Sequence, residues 1–376
     1  MANTSLKFGN GNWAIKENSA LAYSDQYDNF KPLPFDFSRA SSGTIVNKEG
    51  LIETVGNGLP RIDFADSEDG ALKLEPQSTN LLPYSSDFSQ WSKIGSSLTS
   101  GFASPSGDLS ASKITFSTSS LARVDDTSSV SGNSNTFTAT VWLKSDTPIK
   151  VRLDLYQLAI ADNLEEVNVT TEWQRFSITA TASSSSNNMG LAIFNETVGG
   201  AKDLYIWGAQ LEQQSYATLY IPTDGAIATR LADVCGGSGN ASTFNSTEGV
   251  LYAEVSRLHG SLSQSTIRIS KSGSEFLGFS FRADGNIWAI VVNGGYEVLM
   301  QFIPPNFYDT YKIALKYKSN DSAFFVNGVK VDSNTTSLLS LTELNNLSYS
   351  SFYGKTKALA VFPILTDAEL QSLTTI

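Results

Sequence analysis

Two groups of side chains in this chain set flat aromatic rings beside hydrogen-bonding neighbours, the combination that a sugar requires. Its CH faces stack on rings while its hydroxyls take planar hydrogen bonds. The first group is Trp142, Arg152, Asp154 and Tyr156, on the non-core faces of two consecutive predicted strands. The second is Trp288, Tyr296 and Tyr353, at strand ends or loops. Each has a plainer alternative, since Trp142 could pack under the N-terminal segment and Tyr156 could be a core or rim residue. Other chemistry is poorly represented. His259 is the sole histidine and stands in a predicted turn, Arg257-Leu-His-Gly-Ser261, which suits a surface loop better than a catalytic triad. No Walker loop, dinucleotide glycine pattern or His/Cys metal cluster occurs. Glu165 and Glu166 are adjacent, so on a strand they face opposite ways and cannot act as a carboxylate pair across a cleft. The chain is therefore expected not to be an enzyme.

The composition narrows the partners. A formal net charge of −11 opposes direct binding to nucleic acid or an anionic membrane, because both need a cationic surface. A neutral glycan is compatible with it, as is simple solubility. Cys235 is alone, which removes any intrachain disulfide framework and any cysteine zinc site, and its place in Val234-Cys-Gly-Gly-Ser suits a structural thiol. No apolar run approaches a membrane span, and the N-terminal residues lack the regions of a signal peptide, so cytoplasmic synthesis and folding are expected. No cofactor is expected. Calcium on Asp and carbonyl oxygens is compatible with modules of this type, but Asp203, Asp224 and the other scattered carboxylates place no site.

The elements that must position these residues are short and β-rich. Only 17% of residues are charged while 41% are hydrophobic, which suits sandwich cores and polar turns. Residues 1–34 read as an extended arm that cannot bury Phe8, Trp13, Tyr23 and Tyr27 by itself. It either docks on a partner subunit as an anchor or completes a domain as a strand. Residues 35–82 read as a small β-meander. Residues 83–222 form one all-β module, in which Phe137, Ala139, Val141 and Leu143 share a core face, followed by Val151, Leu153 and Leu155. Residues 183–188 form a polar tip expected to be mobile. Residues 223–246 have linker composition. Residues 247–376 form a second β module, with hairpins at Ala283-Asp-Gly-Asn286 and Asn327-Gly328. A capping box at Thr366 and Glu369 opens a terminal helix over 367–373. The fold class is all-β, with two tandem β-sandwiches (jelly rolls) preceded by an extended N-terminal arm and a small β-meander.

Several segments, taken in order, resemble bacteriophage virion appendage proteins of the tail fibre, tail spike or head fibre type. Phe35-Asp-Phe-Ser-Arg-Ala-Ser-Ser-Gly43, Pro60-Arg-Ile-Asp-Phe64 and Leu74-Glu-Pro-Gln-Ser-Thr-Asn-Leu-Leu82 match a preamble of such chains. Phe88-Ser-Gln-Trp91 and Trp207-Gly-Ala-Gln-Leu-Glu212 bracket what resembles a carbohydrate-binding-module-like jelly roll. It leads through Tyr220-Ile-Pro-Thr223 and Thr229-Arg-Leu-Ala-Asp233. From Glu248 onward the strand order resembles a concanavalin A-like (laminin G-type) lectin sandwich, without the alternating acidic signature of laminarinase-like glycosidases. The resemblance implies a structural subunit of a virion, made in a host cytoplasm. Its arm would contact other virion proteins, its sandwiches would present surfaces to host glycans, and it would assemble as a homo-oligomer, a trimer. The alternatives are a decorating protein making only protein contacts and, third, a polysaccharide depolymerase. Trp207 is expected to pack on both faces of its strand and not to bind ligand.

Overall fold

A computed structural model describes residues 4–24, 31–119, 121–157, 164–182, 188–195, 202–260, 263–336 and 340–376. Nearly all regular structure among them is β, with one helix, Asp367–Thr374, opened by the expected capping box at Thr366 and Glu369. Of the polar tip expected at 183–188, residues 183–187 lie outside the described residues and Asn188 begins the strand Asn188–Asn195. The expected all-β class holds, but the tandem order does not. One unit comprises residues 1–50, 55–76 and 232–376, and the other comprises 51–54 and 77–231. In sequence, the jelly roll is an insertion within the second sandwich.

The inserted unit has two five-stranded antiparallel sheets. One runs Ser92–Ile94, Arg123–Ser131, Asn188–Asn195, Ile149–Gln157, Leu164–Val169. The other runs Ser96–Phe102, Ala111–Phe116, Lys202–Glu212, Thr136–Lys144, Gln174–Thr181. Phe137, Ala139, Val141 and Leu143 from one sheet and Val151, Leu153 and Leu155 from the other meet in its core, as their period of two requires. Trp91 is buried and its indole N–H donates to the Tyr84 carbonyl at 2.9 Å. The chain enters and leaves this unit side by side, with Ser78–Asn80 paired to Ala228–Arg230. Asn80 fixes the crossing. Its amide donates to the carbonyls of Ala209 (3.1 Å) and Ile221 (2.9 Å), and its oxygen accepts from the N–H groups of Leu82 and Leu211.

The other unit corrects the reading of residues 1–34 as an anchoring arm. Leu6–Gly9 pairs with the C-terminal strand Gly354–Phe362 and with Ser19–Ser24, which pairs with Lys31–Ser38. The physical reason is apolar burial. Phe8, Phe35 and Phe37 are at most 2% exposed and enter the same core as Leu251, Ile313 and Leu359. The meander over 35–82 is likewise not separate, because Arg61–Asp63 pairs with Ala71–Leu74, which pairs with Gly354–Phe362. Nor is 223–246 a free linker. Val234–Gly236 pairs with Lys31–Ser38, and Phe244 and Cys235 are core residues. Burial raises the Cys235 thiol well above its usual range, consistent with a structural role. The opposing sheet runs Tyr296–Phe302, Ile287–Asn293, Glu275–Phe281, Ser265–Ser270, Asn346–Ser350. Its 327–328 counterpart in the larger sheet turns with φ of 48° at Asn327 and 81° at Gly328, the positive pair that a type I′ hairpin needs.

One buried ionic network ties together the segments that composition had separated. The Arg39 guanidinium donates to Asp233 at 3.0 Å and to the carbonyls of Ser41, Leu59 and Gly56. Arg61 bridges Asp233 and Glu75, the latter at 2.6 Å, and all four side chains are inaccessible to solvent. The Glu75 N–H donates to the Asp233 carboxylate at 2.8 Å, and the Asp233 N–H donates to the Glu75 carbonyl at 2.9 Å. Burial alone would lower the Arg61 pKa, but Glu75 and Asp233 hold it above its usual value. Removing one member of a buried pair leaves an uncompensated charge, at a cost of about 3–5 kcal/mol. Asp233→Ala should lower the unfolding free energy by about that amount in urea titration; a loss below about 1 kcal/mol would mean that the arginines reach water. Phe8→Ala should cost about 3–5 kcal/mol in the same titration, whereas no measurable loss would restore the detachable arm.

Candidate functional site

The five-stranded sheet of the N- and C-terminal unit has an inner face buried in the core, through Ile267, Ile269, Leu277, Phe279, Ala289, Val291, Val298 and Met300. The alternate residues therefore form its outer face. Cross-strand register aligns them in three rows. Thr266, Ser280, Trp288 and Gln301 form one, Arg268, Gly278, Ile290 and Leu299 the next, and Ser270, Phe276, Val292 and Tyr296 the third. Gly278 sits in the middle row because a Cβ there would stand 2.2 Å from the Ile267 carbonyl oxygen. The same Cβ would stand 2.7 Å from the Arg268 Cα, so glycine here lets the two strands approach closely.

Rings and guanidinium groups are stacked on this face. The Arg282 guanidinium carbon lies 4.2 Å from the Trp288 ring centroid, and the Arg268 carbon 5.0 Å from that of Phe276. Tyr296, 56% exposed, meets Trp288 edge-on at 6.1 Å. Four buried polar atoms on the face have no hydrogen-bond partner: Thr266 Oγ1, Arg268 Nε, Ser280 Oγ and Trp288 Nε1. Most buried polar groups in folded proteins are paired, and each orphan costs about 1–3 kcal/mol.

Trp288 and Tyr296 are thus brought together as expected from the sequence. Tyr353 is not with them; it packs against the core, and its carbonyl accepts from the Leu258 N–H at 3.0 Å. Sequence reasoning missed Arg268, Arg282, Phe276, Thr266 and Ser280. The signal was present in the Ala283-Asp-Gly-Asn286 turn, whose hairpin register sets Ser280 opposite Trp288 and sends Arg282 to the same face.

The first group is divided by the fold. Trp142 lies on one sheet of the jelly roll, and Arg152, Asp154 and Tyr156 lie on the other. Trp142 is packed, as its plainer alternative held, although its neighbours come from its own unit. Trp207, Tyr220 and the Arg175 guanidinium surround it at 5.4, 5.7 and 4.5 Å. Trp207 is buried and its N–H donates to Ser110 Oγ at 2.7 Å. On the second sheet Arg152 and Arg123 flank the Phe194 ring at 5.6 and 5.5 Å. Asp154, 4% exposed, keeps one carboxylate oxygen unpaired. Tyr156 stands opposite Gly190 in the register.

Of the residues expected to anchor the chain, Phe8 is core, and Trp13 stacks edge-on against it while donating its N–H to the Asp69 carbonyl at 2.7 Å. Both are spent inside their own unit. Tyr23 lies in the strand Ser19–Ser24, and Tyr27 lies outside the described residues. Among the described residues no three His, Cys, Asp or Glu side chains gather as a metal ion needs. Asp203 is instead bonded to Lys113 and Thr115.

No protein-family model and no curated protein matches this chain. Solved structures similar to parts of it include the sialidase CBM40 of Ruminococcus gnavus bound to alpha2,6 sialyllactose. That match has 13% identity and a TM-score of 0.29, and covers 37% of this chain and 93% of the other. A tandem of two CBM22 domains from Paenibacillus barcinonensis Xyn10C matches at 8% identity and a TM-score of 0.30, covering 77% of this chain and 99% of the other. Trypanosoma rangeli sialidase matches at 9% identity and a TM-score of 0.29, covering 96% and 83%. The expectation that this chain is not an enzyme is corrected by that last match, since enzymes stand among the similar structures. At these identities the likeness is one of β architecture, and no site residue is transferred from it.

Burial raises the Asp154 carboxyl to about 6, against the opposing pull of Arg152 and Arg123. The folded chain therefore keeps a proton that the unfolded chain, with an ordinary value of about 3.9, has already released. Stability falls as pH rises through that window, and the deficit persists above it. Asp154→Asn should raise stability at pH 7 by up to about 3 kcal/mol and flatten the profile between about pH 4 and 6. Unchanged melting at both ends of the window would place this carboxylate in water.

Proposed function

We propose that this chain is a glycan-binding appendage subunit of a bacteriophage-like virion, with the ligand on the outer face of its Trp288 sheet. The observation that carries the binding part is that face itself. It joins an exposed tyrosine and a tryptophan to two stacked arginines and four unpartnered polar atoms. Rings offer a sugar its CH contacts, and the guanidinium N–H groups can donate to its oxygens. The appendage part is supported by the ordered segments from Phe35 to Asp233 that resemble such subunits. In this reading the protein resides in the virion as a homo-oligomer, a trimer, and contacts other virion proteins through surfaces other than Phe8 and Trp13.

The binding reading is tested on arrays of bacterial surface polysaccharides with the full chain. Trp288→Ala and Tyr296→Ala should each reduce binding about tenfold or more, with circular dichroism and melting temperature unchanged. Trp142→Ala should affect stability before binding, because its ring is packed. Silence across the arrays would favour a decorating subunit that makes only protein contacts. Release of reducing ends from a bound polysaccharide would recast the face as part of a hydrolase.

A further inference from the structure

The two arginines of the Trp288 face carry the ligand's chemistry further than its rings do. Among the described residues, neither Arg268 nor Arg282 makes an ion pair or a guanidinium hydrogen bond; each only stacks on a ring. The carboxylates around them are already engaged. Glu275 accepts from the Thr342 N–H, Glu297 from the Ser340 N–H at 3.0 Å, Asp332 from the Gln301 N–H at 2.9 Å and Asp284 from the Asn286 N–H at 3.0 Å. The two arginines thus keep guanidinium N–H edges that no carboxylate of the described residues occupies. Each guanidinium is held near a ring, and its N–H edges suit a planar, two-oxygen acceptor.

Spacing adds a second element. Arg268 is aligned with Gly278, and Arg282 follows Gly278 by four residues, about 13 Å along the strand at ~3.3 Å per residue. Trp288, opposite Ser280, lies between their positions in the register. A single small anion cannot reach both ends, whereas an extended oligosaccharide can.

We propose that this face binds an acidic oligosaccharide, with sugar carboxylates on Arg268 and Arg282 and a ring CH face over Trp288. The inference rests on the glycan-binding reading and names its ligand class. Uronic acids and sialic acids share the required carboxylate, so the test carries both. Calorimetry of the full chain with an oligogalacturonate, an oligomer of polysialic acid and a carboxyl-reduced oligogalacturonate separates the contributions. At least one acidic probe should bind. For a galacturonate ligand, carboxyl reduction should weaken binding about tenfold or more, and Arg268→Gln and Arg282→Gln should each do the same to whichever acidic probe binds. Added salt should weaken the acidic complex. Equal affinity for the carboxyl-reduced probe, or an acidic complex indifferent to both substitutions, overturns the proposal. Neutral glycans bound through Trp288 while both acidic probes fail would overturn it and leave the glycan-binding reading standing. Failure of every glycan on arrays as well would remove both.

Discussion

Asp233 is the residue on which the N- and C-terminal unit depends. Its carboxylate sits between Arg39 and Arg61 and accepts from the Glu75 N–H, while its own N–H donates to the Glu75 carbonyl. These four residues come from distant points of the chain, on both sides of the jelly-roll insertion. Charges without solvent contact tolerate only a narrow set of geometries, because any partner left unpaired is strongly penalised. The network therefore fixes where the chain breaks off to build the jelly roll and where it resumes. On the jelly-roll side, Glu212 does related work, accepting from Ser78 and from the Thr218 hydroxyl and backbone N–H. Arg230 donates to the same Thr218 hydroxyl at 3.2 Å.

This explains what the most recognisable segments are for. Arg39, Arg61, Glu75, Asn80, Gln210, Glu212, Arg230 and Asp233 all lie in the ordered segments between Phe35 and Asp233, and all are buried. Gln210, for example, accepts from the Ile221 N–H at 2.6 Å and donates to the Leu219 carbonyl. The motif residues therefore define a way of inserting one sandwich into another. The face proposed for the ligand lies elsewhere, on strands outside those segments.

What was legible in the sequence follows from the range of the forces involved. Alternation is local, so the core faces of Thr136–Lys144 and Ile149–Gln157 were readable, as were the Asn327-Gly328 turn and the Thr366 capping box. Pairing across more than three hundred residues is not local. Nothing in Leu6–Gly9 announces that its partner is Gly354–Phe362, so the first strands read as an arm. The Gly- and Ser-rich composition of 223–246 read as a linker because its two short strands find their partners far away, at Ser78–Asn80 and Lys31–Ser38. The site was half legible for the same reason. Trp288 and Tyr296 stood out as rings, but Arg268 and Ser280 become part of a face only once three strands are in register. Trp142 and Arg152 misled because consecutive strands of a jelly roll belong to opposite sheets.

The site proposed for the ligand is the outer face of the Trp288 sheet. A crystal structure of the full chain soaked with the best-binding oligosaccharide tests it most directly. Sugar density is expected against Trp288 and Tyr296, with acceptor oxygens on Arg268 or Arg282. Density confined to the Phe194 face of the jelly roll, with the Trp288 face bare, would contradict it.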